Sequence, residues 1–338
     1  MELIEVQTNN SMLVTEENVI TRTEEISRGN FIEANTKQVS LEHLKNDTII
    51  PVFAKDNETT ISHYDFIDTT QRAIKAVYEG QVQRSPNIKT SHIIKGRIPS
   101  AISKSVNELL PHERTLYYER MAFMIELPEL KEHVNKNALS LVIGGVRAYN
   151  QENLYSKKTM EKFKCFIGFK NYVCTNLCIS TDGLLDELKV SSTLELQNKI
   201  EELITNFNTE KQLGNMERLS KFYLTQEQFA HLMGKMKMYQ FLSKEEKKNL
   251  FSIGFNDSQI SHIVKDYYMD DNFKIGEKGK INLWNLYNLF TGATKSSYID
   301  SFLKREVQAY EFTQELANSI QDQKPNWYLQ SNIIANNE

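Results

Sequence analysis

The chain has 338 residues, with 40 Lys plus Arg against 44 Asp plus Glu, a formal net charge of −4, and 40% hydrophobic and 25% charged residues. That composition excludes a collagenous or wholly disordered chain and is enough for a sizeable core in two domains. The longest apolar runs, such as Leu139–Ile143, fall far short of the roughly eighteen residues of a spanning helix, and three cysteines cannot build a disulfide framework.

Met1–Glu5 lacks the basic and continuous apolar regions of a secretory signal, so a cytoplasmic location with no membrane contact is expected. Residues 1–30 hold six acids against Arg22 and Arg28 and no aromatic residue. Such a stretch buries too little apolar surface to offset its ordering entropy, which predicts a flexible acidic tail. Residues 323–338 read as a second tail.

Between the tails, residues 31–185 favour strands. Thr48–Ala54 is a short apolar run broken by Pro51, which suits an edge strand or bulge. Ser62 and Asp65 have capping-box spacing before Phe66, Ile67, Thr70, Ile74 and Val77, which predicts a helix closed near Gly80. Leu116–Leu127 alternates like a half-buried strand. Leu139–Tyr149 is apolar on both parities around Gly144 and Gly145, as in a central strand with a bulge or close backbone approach, and Phe163–Phe169 makes another strand. A mostly antiparallel sheet with a packed helix follows.

Over residues 186–322 the apolar period lengthens to that of a helix. Ser192 with Glu195, Thr225 with Gln228, Ser243 with Glu246, and Asn256 or Asp257 each open a predicted helix. Leu283–Phe290 is a fifth helix that Gly292 can cap, and Tyr298–Ile320 a longer sixth. The expected class is α+β: an N-terminal, mostly antiparallel sheet with a packed helix, then a C-terminal helical array.

Charge is uneven along this order. Residues 81–180 hold fifteen Lys or Arg against eight Asp or Glu, net +7, inside an acidic chain. Within them Arg147, Lys157, Lys158, Lys162, Lys164 and Lys170 are interleaved with Tyr149, Tyr155, Phe163, Phe166, Phe169 and Tyr172, and His92, Lys95, Arg97 and Lys104 extend the basic region. Cations neutralise phosphates while aromatic faces stack on unpaired bases, which suits single-stranded DNA or RNA. The same pattern also describes a strand pair with core aromatics and solvated lysines, and spacing leaves both open.

Other motifs are weaker. Cys174 and Cys178 have zinc-ligand spacing but no accompanying Cys or His pair, so Cys165, Cys174 and Cys178 are expected to be buried thiols, with no metal and no cofactor. Gly292–Ser297 lacks the glycines and the preceding strand of a phosphate loop. Asp270–Asn272 has calcium-loop chemistry, but Ile275 stands where such a loop needs glycine. Glu119, Glu126 and Glu152 are carboxylates that would matter only if they converged; no catalytic residue is assigned.

Five stretches carry a family resemblance: Phe31–Thr36, Ile50–Asn57, Thr90–Pro99, Ile143–Ser156 and Ala293–Phe302. In these the chain, from Phe31 to about Leu316, resembles the domain-of-unknown-function family numbered three-eight-seven-one, whose members are bacterial proteins of about this length. More distantly, Phe166–Cys178 and Leu283–Asn288 are similar to a phage- and plasmid-type family numbered nine-three-two. The resemblance implies a setting on mobile DNA and brings no catalytic residues. With that setting, the leading expectation is a non-catalytic nucleic-acid-binding accessory factor using Arg147, Tyr149, Tyr155, Lys157, Lys158, Lys162 and Lys164. One alternative is a protein-binding modulator of host defence or element maintenance, acting through the helices around Met233, Met236, Met238 and Tyr239. The other is a metal-dependent nucleic-acid-processing enzyme.

Overall fold

The computed structural model describes residues 30–48, 60–97, 99–101, 103–148, 160–276 and 278–329. The expected strand Thr48–Ala54 therefore lies almost wholly outside the described residues.

The main sheet is antiparallel throughout. It is built from β1 (Thr36–Val39), β2 (Asn87–Ser91), β5 (Met121–Val134), β6 (Asn137–Arg147) and β7 (Glu161–Asn171) in that spatial order. Beyond β7, β8 (Leu177–Cys178) and β9 (Leu184–Val190) pair with different stretches of that same strand. A separate ribbon joins β3 (Ile94–Arg97) to β4 (Arg114–Tyr118).

The alternating stretch around Leu116–Leu127 is not one strand. It divides at Glu119 and Arg120, because the Glu119 carbonyl accepts from His63 Nε2 at 2.8 Å and the Arg120 amide donates to Ser91 Oγ at 3.0 Å. Past Leu127 the register of β5 slips around Pro128, which has no amide to give to the ladder. Gly144 and Gly145 meet the close approach expected of them: a Cβ on Gly144 would run into the Phe123 carbonyl and the Phe166 ring, and one on Gly145 into the Phe66 ring.

Helix α1 (Leu41–Asn46) precedes α2 (His63–Val77), which opens with the Ser62–Asp65 capping box. With α3 (Thr193–Asn206), α2 covers the sheet face bearing Met121, Phe123, Ile125, Ile143, Phe163 and Ile167. The opposite face, bearing Ala122, Met124, Val142, Val146 and Phe166, packs on Phe31, Ile32 and the start of α9 (Ile299–Gln321) through Ile299, Phe302 and Leu303. Both faces of the sheet are thus covered.

The helical part comprises α4 (Thr209–Leu219), α5 (Gln226–Tyr239), the single turn α6 (Lys244–Lys247), α7 (Asp257–Met269), α8 (Leu283–Thr294) and α9. Thr225, Ser243 and Asn256 all cap as expected, each with a reciprocal bond from the third helical residue. Helix α8 runs on through Gly292 to Thr294, since a helix buried nearly all round gains more from packing than one glycine costs. A short ribbon between β10 (Tyr223–Thr225) and β11 (Lys280–Asn282) sets Leu224 opposite Ile281 and ties the starts of α5 and α8 together. Trp284 Nε1 donates to Asn137 Oδ1 at 2.8 Å and Asn176 Nδ2 to the Asn288 carbonyl at 2.7 Å, which fastens α8 to the end of the sheet.

Candidate functional site

Strand β7 sorts the predicted basic and aromatic residues by parity. Phe163, Cys165, Ile167 and Phe169 point to the α2 and α3 side and are buried. Lys162, Lys164, Phe166 and Lys170 occupy the other face. Phe166 is in the core, Lys164 Nζ binds Asp186 Oδ1 at 2.6 Å, and Lys170 Nζ donates to Glu126 Oε2 at 2.9 Å. Lys162 is half-buried. Phe163 and Phe169 therefore lie across the sheet from the lysines, and neither they nor Phe166 presents a ring to solvent.

Arg147 requires a correction. Its side chain is on the α2 side, 1% exposed, bonded to the Ile61 carbonyl and paired with Glu161, with its guanidinium 4.4 Å from the Phe163 ring centre. Glu161 Oε1 in turn accepts the Ile61 amide at 2.9 Å. A cation locked in this way fastens the sheet to the approach to α2 and offers no face to a phosphate. Tyr149, Tyr155, Lys157 and Lys158 lie outside the described residues.

The remaining motifs resolve into structure. Lys295 is buried as the C-cap of α8, donating to the Cys174 carbonyl at 2.5 Å and to Thr175 Oγ1 at 3.1 Å, while its own carbonyl accepts the Glu33 amide at 2.8 Å. Asp270 Oδ1 accepts the amides of Asn272 and Phe273, so it shapes a turn. Burial pushes the Cys165 and Cys178 thiols far up and the Cys174 thiol to about 11, so all three stay protonated. Glu119 pairs with Lys37 and His43, Glu126 pairs with Lys170, and Glu152 lies outside the described residues. Among the described residues no three His, Cys, Asp or Glu side chains gather as a metal site. No described helix is long and apolar enough to cross a membrane.

What the described surface does offer is on the helical part. Met233, Met236 and Tyr239 are core residues of α5, but Met238 on the same helix is 56% exposed and Phe241 just beyond it 82%. Two contacts set α5 beside α7 in antiparallel register: Gln226 Nε2 donates to Tyr268 Oη at 2.9 Å, and Lys237 Nζ pairs with Asp257 Oδ1 at 3.1 Å. Helical spacing between these anchors sets exposed Ala230 and Gly234 opposite exposed Val264 and Ser261. A Cβ on Gly234 would meet nothing within 4 Å, so the surface is open there.

Small exposed residues thus flank the seam between the two helices. Exposed Met238 and Phe241 stand at one end and Tyr223 and Tyr268 (51% exposed) at the other. A recess of about 680 Å3 lies at the start of α5, where Gln226, Glu227 and Ala230 face Lys278, Gly279 and Lys280. Large apolar side chains gathered on one solvent-facing surface mark an interaction site more often than chance exposure does. Sequence reasoning named Met238 but missed the rest. The available signals were Gly234 inside a strong helical pattern and Phe241 outside any apolar stripe.

No curated protein and no solved structure matches this chain. A family model does match, over residues 13–329. The chain accordingly belongs to the family described as "Domain of unknown function, B. Theta Gene description (DUF3871)".

Proposed function

We propose that the protein is a non-catalytic accessory factor of a mobile genetic element, acting in the cytoplasm by binding a protein partner through the α5 and α7 surface. The observation that carries this reading is the set of exposed apolar side chains Tyr223, Met238, Phe241, Val264 and Tyr268 on and beside α5 and α7. The test is a photo-crosslinking amino acid at Phe241 or Tyr268, with Leu194, an exposed apolar position on α3, as control. Protein adducts that form at 241 and 268 and not at 194 are expected. Adducts that are absent, or equal at all three positions, overturn the reading.

A second reading is single-stranded nucleic-acid binding, which the net +7 of residues 81–180 favours. Of the residues expected to carry it, Arg147 and Lys164 are engaged within the fold. Fluorescence anisotropy with single- and double-stranded DNA and RNA across a salt series tests it. Salt-dependent binding that weakens in the Lys157, Lys158 and Lys162 triple-alanine variant would support it, and no binding at low salt removes it.

A further inference from the structure

Glu306 and Lys295 are a buried acid and a buried base that sense one another's charge but are not paired. Glu306 on α9 bonds to Thr294 Oγ1 at the end of α8, through Oε1, while its Oε2 is buried with no hydrogen-bond partner. The next residue, Lys295, spends its ammonium on neutral groups, the Cys174 carbonyl at 2.5 Å and Thr175 Oγ1 at 3.1 Å. Thr294 has one hydroxyl proton, and the Thr291 carbonyl, which can only accept, takes it at 2.8 Å. The bond to Glu306 must then be donated by the carboxyl, so the arrangement is that of a protonated Glu306. Burial keeps that proton in place by raising the carboxyl to about 8.

We propose that this pair is a proton-controlled latch: loss of the Glu306 proton draws the Lys295 ammonium from Cys174 and Thr175 to Glu306 and opens the turn between β7 and β8. The proton passes to solvent, the two bonds from Lys295 Nζ break, and one buried ion pair forms in their place. An ionised carboxylate left alone in the core is costly, which is what moves the ammonium. The turn is poised to respond. Thr175 has a φ of 59°, in the left-handed region, where a β-branched residue stays only if its surroundings hold it. Lys295 holds both its hydroxyl and the carbonyl before it, and Val173 in the same turn is 44% exposed, so the turn can open toward solvent. The inference does not depend on the partner-binding reading.

The titratable groups that face Glu306 are Lys295 and Tyr287 of α8 and Cys178 of β8. Those that face Lys295 are Cys174, Glu33, Glu306 and Asp270. Asp182 and Arg218 act instead on Tyr310, one turn further along α9. Burial raises the Tyr287 hydroxyl and the Cys178 thiol well above their ordinary values and the Cys174 thiol to about 11, so these three keep their protons while Glu306 loses its own.

The test is amide hydrogen exchange on the full chain, corrected for the intrinsic effect of pH. The Thr175 amide, which donates to the Asn171 carbonyl at 2.8 Å, reports the closed turn, and the amides of β6 report the sheet. Between about pH 7 and pH 9, one unit either side of the folded Glu306 value, protection at Thr175 is expected to fall about tenfold while β6 is unchanged. Glu306→Gln mimics the protonated carboxyl and should stay closed throughout that range. Lys295→Met should lack the protection at every pH, with β6 still protected. Thr175 protection that does not fall, that falls equally in Glu306→Gln, or that survives in Lys295→Met overturns the latch. So does a loss of β6 protection in parallel, which would make the event global unfolding.

Discussion

Lys170 Nζ stands 2.9 Å from Glu126 Oε2 across the intervening strand β6, with both side chains buried. Tyr172 Oη donates to the other carboxylate oxygen at 2.7 Å, and Arg84 is 3.9 Å away. Burial pushes the Glu126 carboxyl up, but Lys170, Tyr172 and Arg84 together outweigh it and hold it below the ordinary range. The charged centre of the sheet is thus satisfied internally.

This pairing predicts an asymmetry between variants. Lys170→Met leaves a buried carboxylate without its cation and should destabilise the fold by about 3–5 kcal/mol, whereas adding Glu126→Gln should restore much of the loss. Denaturant midpoints of the two single variants and the double variant measure the coupling. Because the folded-state affinity of Glu126 for a proton is depressed, the stability it contributes is present above its ordinary range and lost as pH falls through its folded value.

Glu306 behaves in the opposite sense. Burial in α9 raises its carboxyl from 4.5 to about 8, against the pull of the Thr294 hydroxyl and Lys295. A raised folded value means that its contribution is fully present below about 4.5 and is lost as pH rises through about 8. Glu306→Gln should flatten the fall in unfolding midpoint between those limits, a difference on the order of a few kcal/mol. A wild-type slope retained in the variant would show that another group controls it.

His63 should govern part of the acid side. Complete burial, and then the nearby Arg147 charge, lower its imidazole from 6.5 to about 3, despite the bond to the Glu119 carbonyl. The neutral form is the folded one, so its contribution is present above about 6.5 and lost as pH falls toward about 3. Following the His63 ring by NMR through an acid titration checks this: a ring that titrates near the ordinary value while the protein remains folded would contradict the burial.

Two glycines should respond in opposite ways to the same substitution. Gly144→Ala pushes a methyl into the Phe123 carbonyl and the Phe166 ring, and should destabilise by about 1–3 kcal/mol or more. Gly234→Ala adds a methyl to open space on a helix face and should stabilise by about 0.5–1 kcal/mol. Thermal unfolding of the two variants side by side tests both signs.

Local structure was legible in the residues themselves. Ser62 with Asp65, Thr225 with Gln228 and Asn256 opened their helices because a cap and its partner lie three positions apart, within one turn of chain. The apolar runs around Phe123, Ile143 and Ile167 became strands for an equally local reason, their pattern of burial. Helix α4 escaped notice because only Leu213, Met216 and Leu219 mark its apolar side.

Tertiary structure alone decided which surfaces remain open. The parity that separates Lys164 from Phe163 can be read from β7, but the burial of Phe166 beneath Phe302 and Leu303 depends on a helix that lies far along the chain. Arg147 resembled a surface cation until Ile61 and Glu161 closed around it. Helices α5 and α7 lie side by side because Gln226 meets Tyr268 and Leu224 pairs with Ile281, contacts between segments more than forty residues apart. Periodicity and caps are encoded within a single turn of chain; which face meets which partner is set by the burial of the whole core.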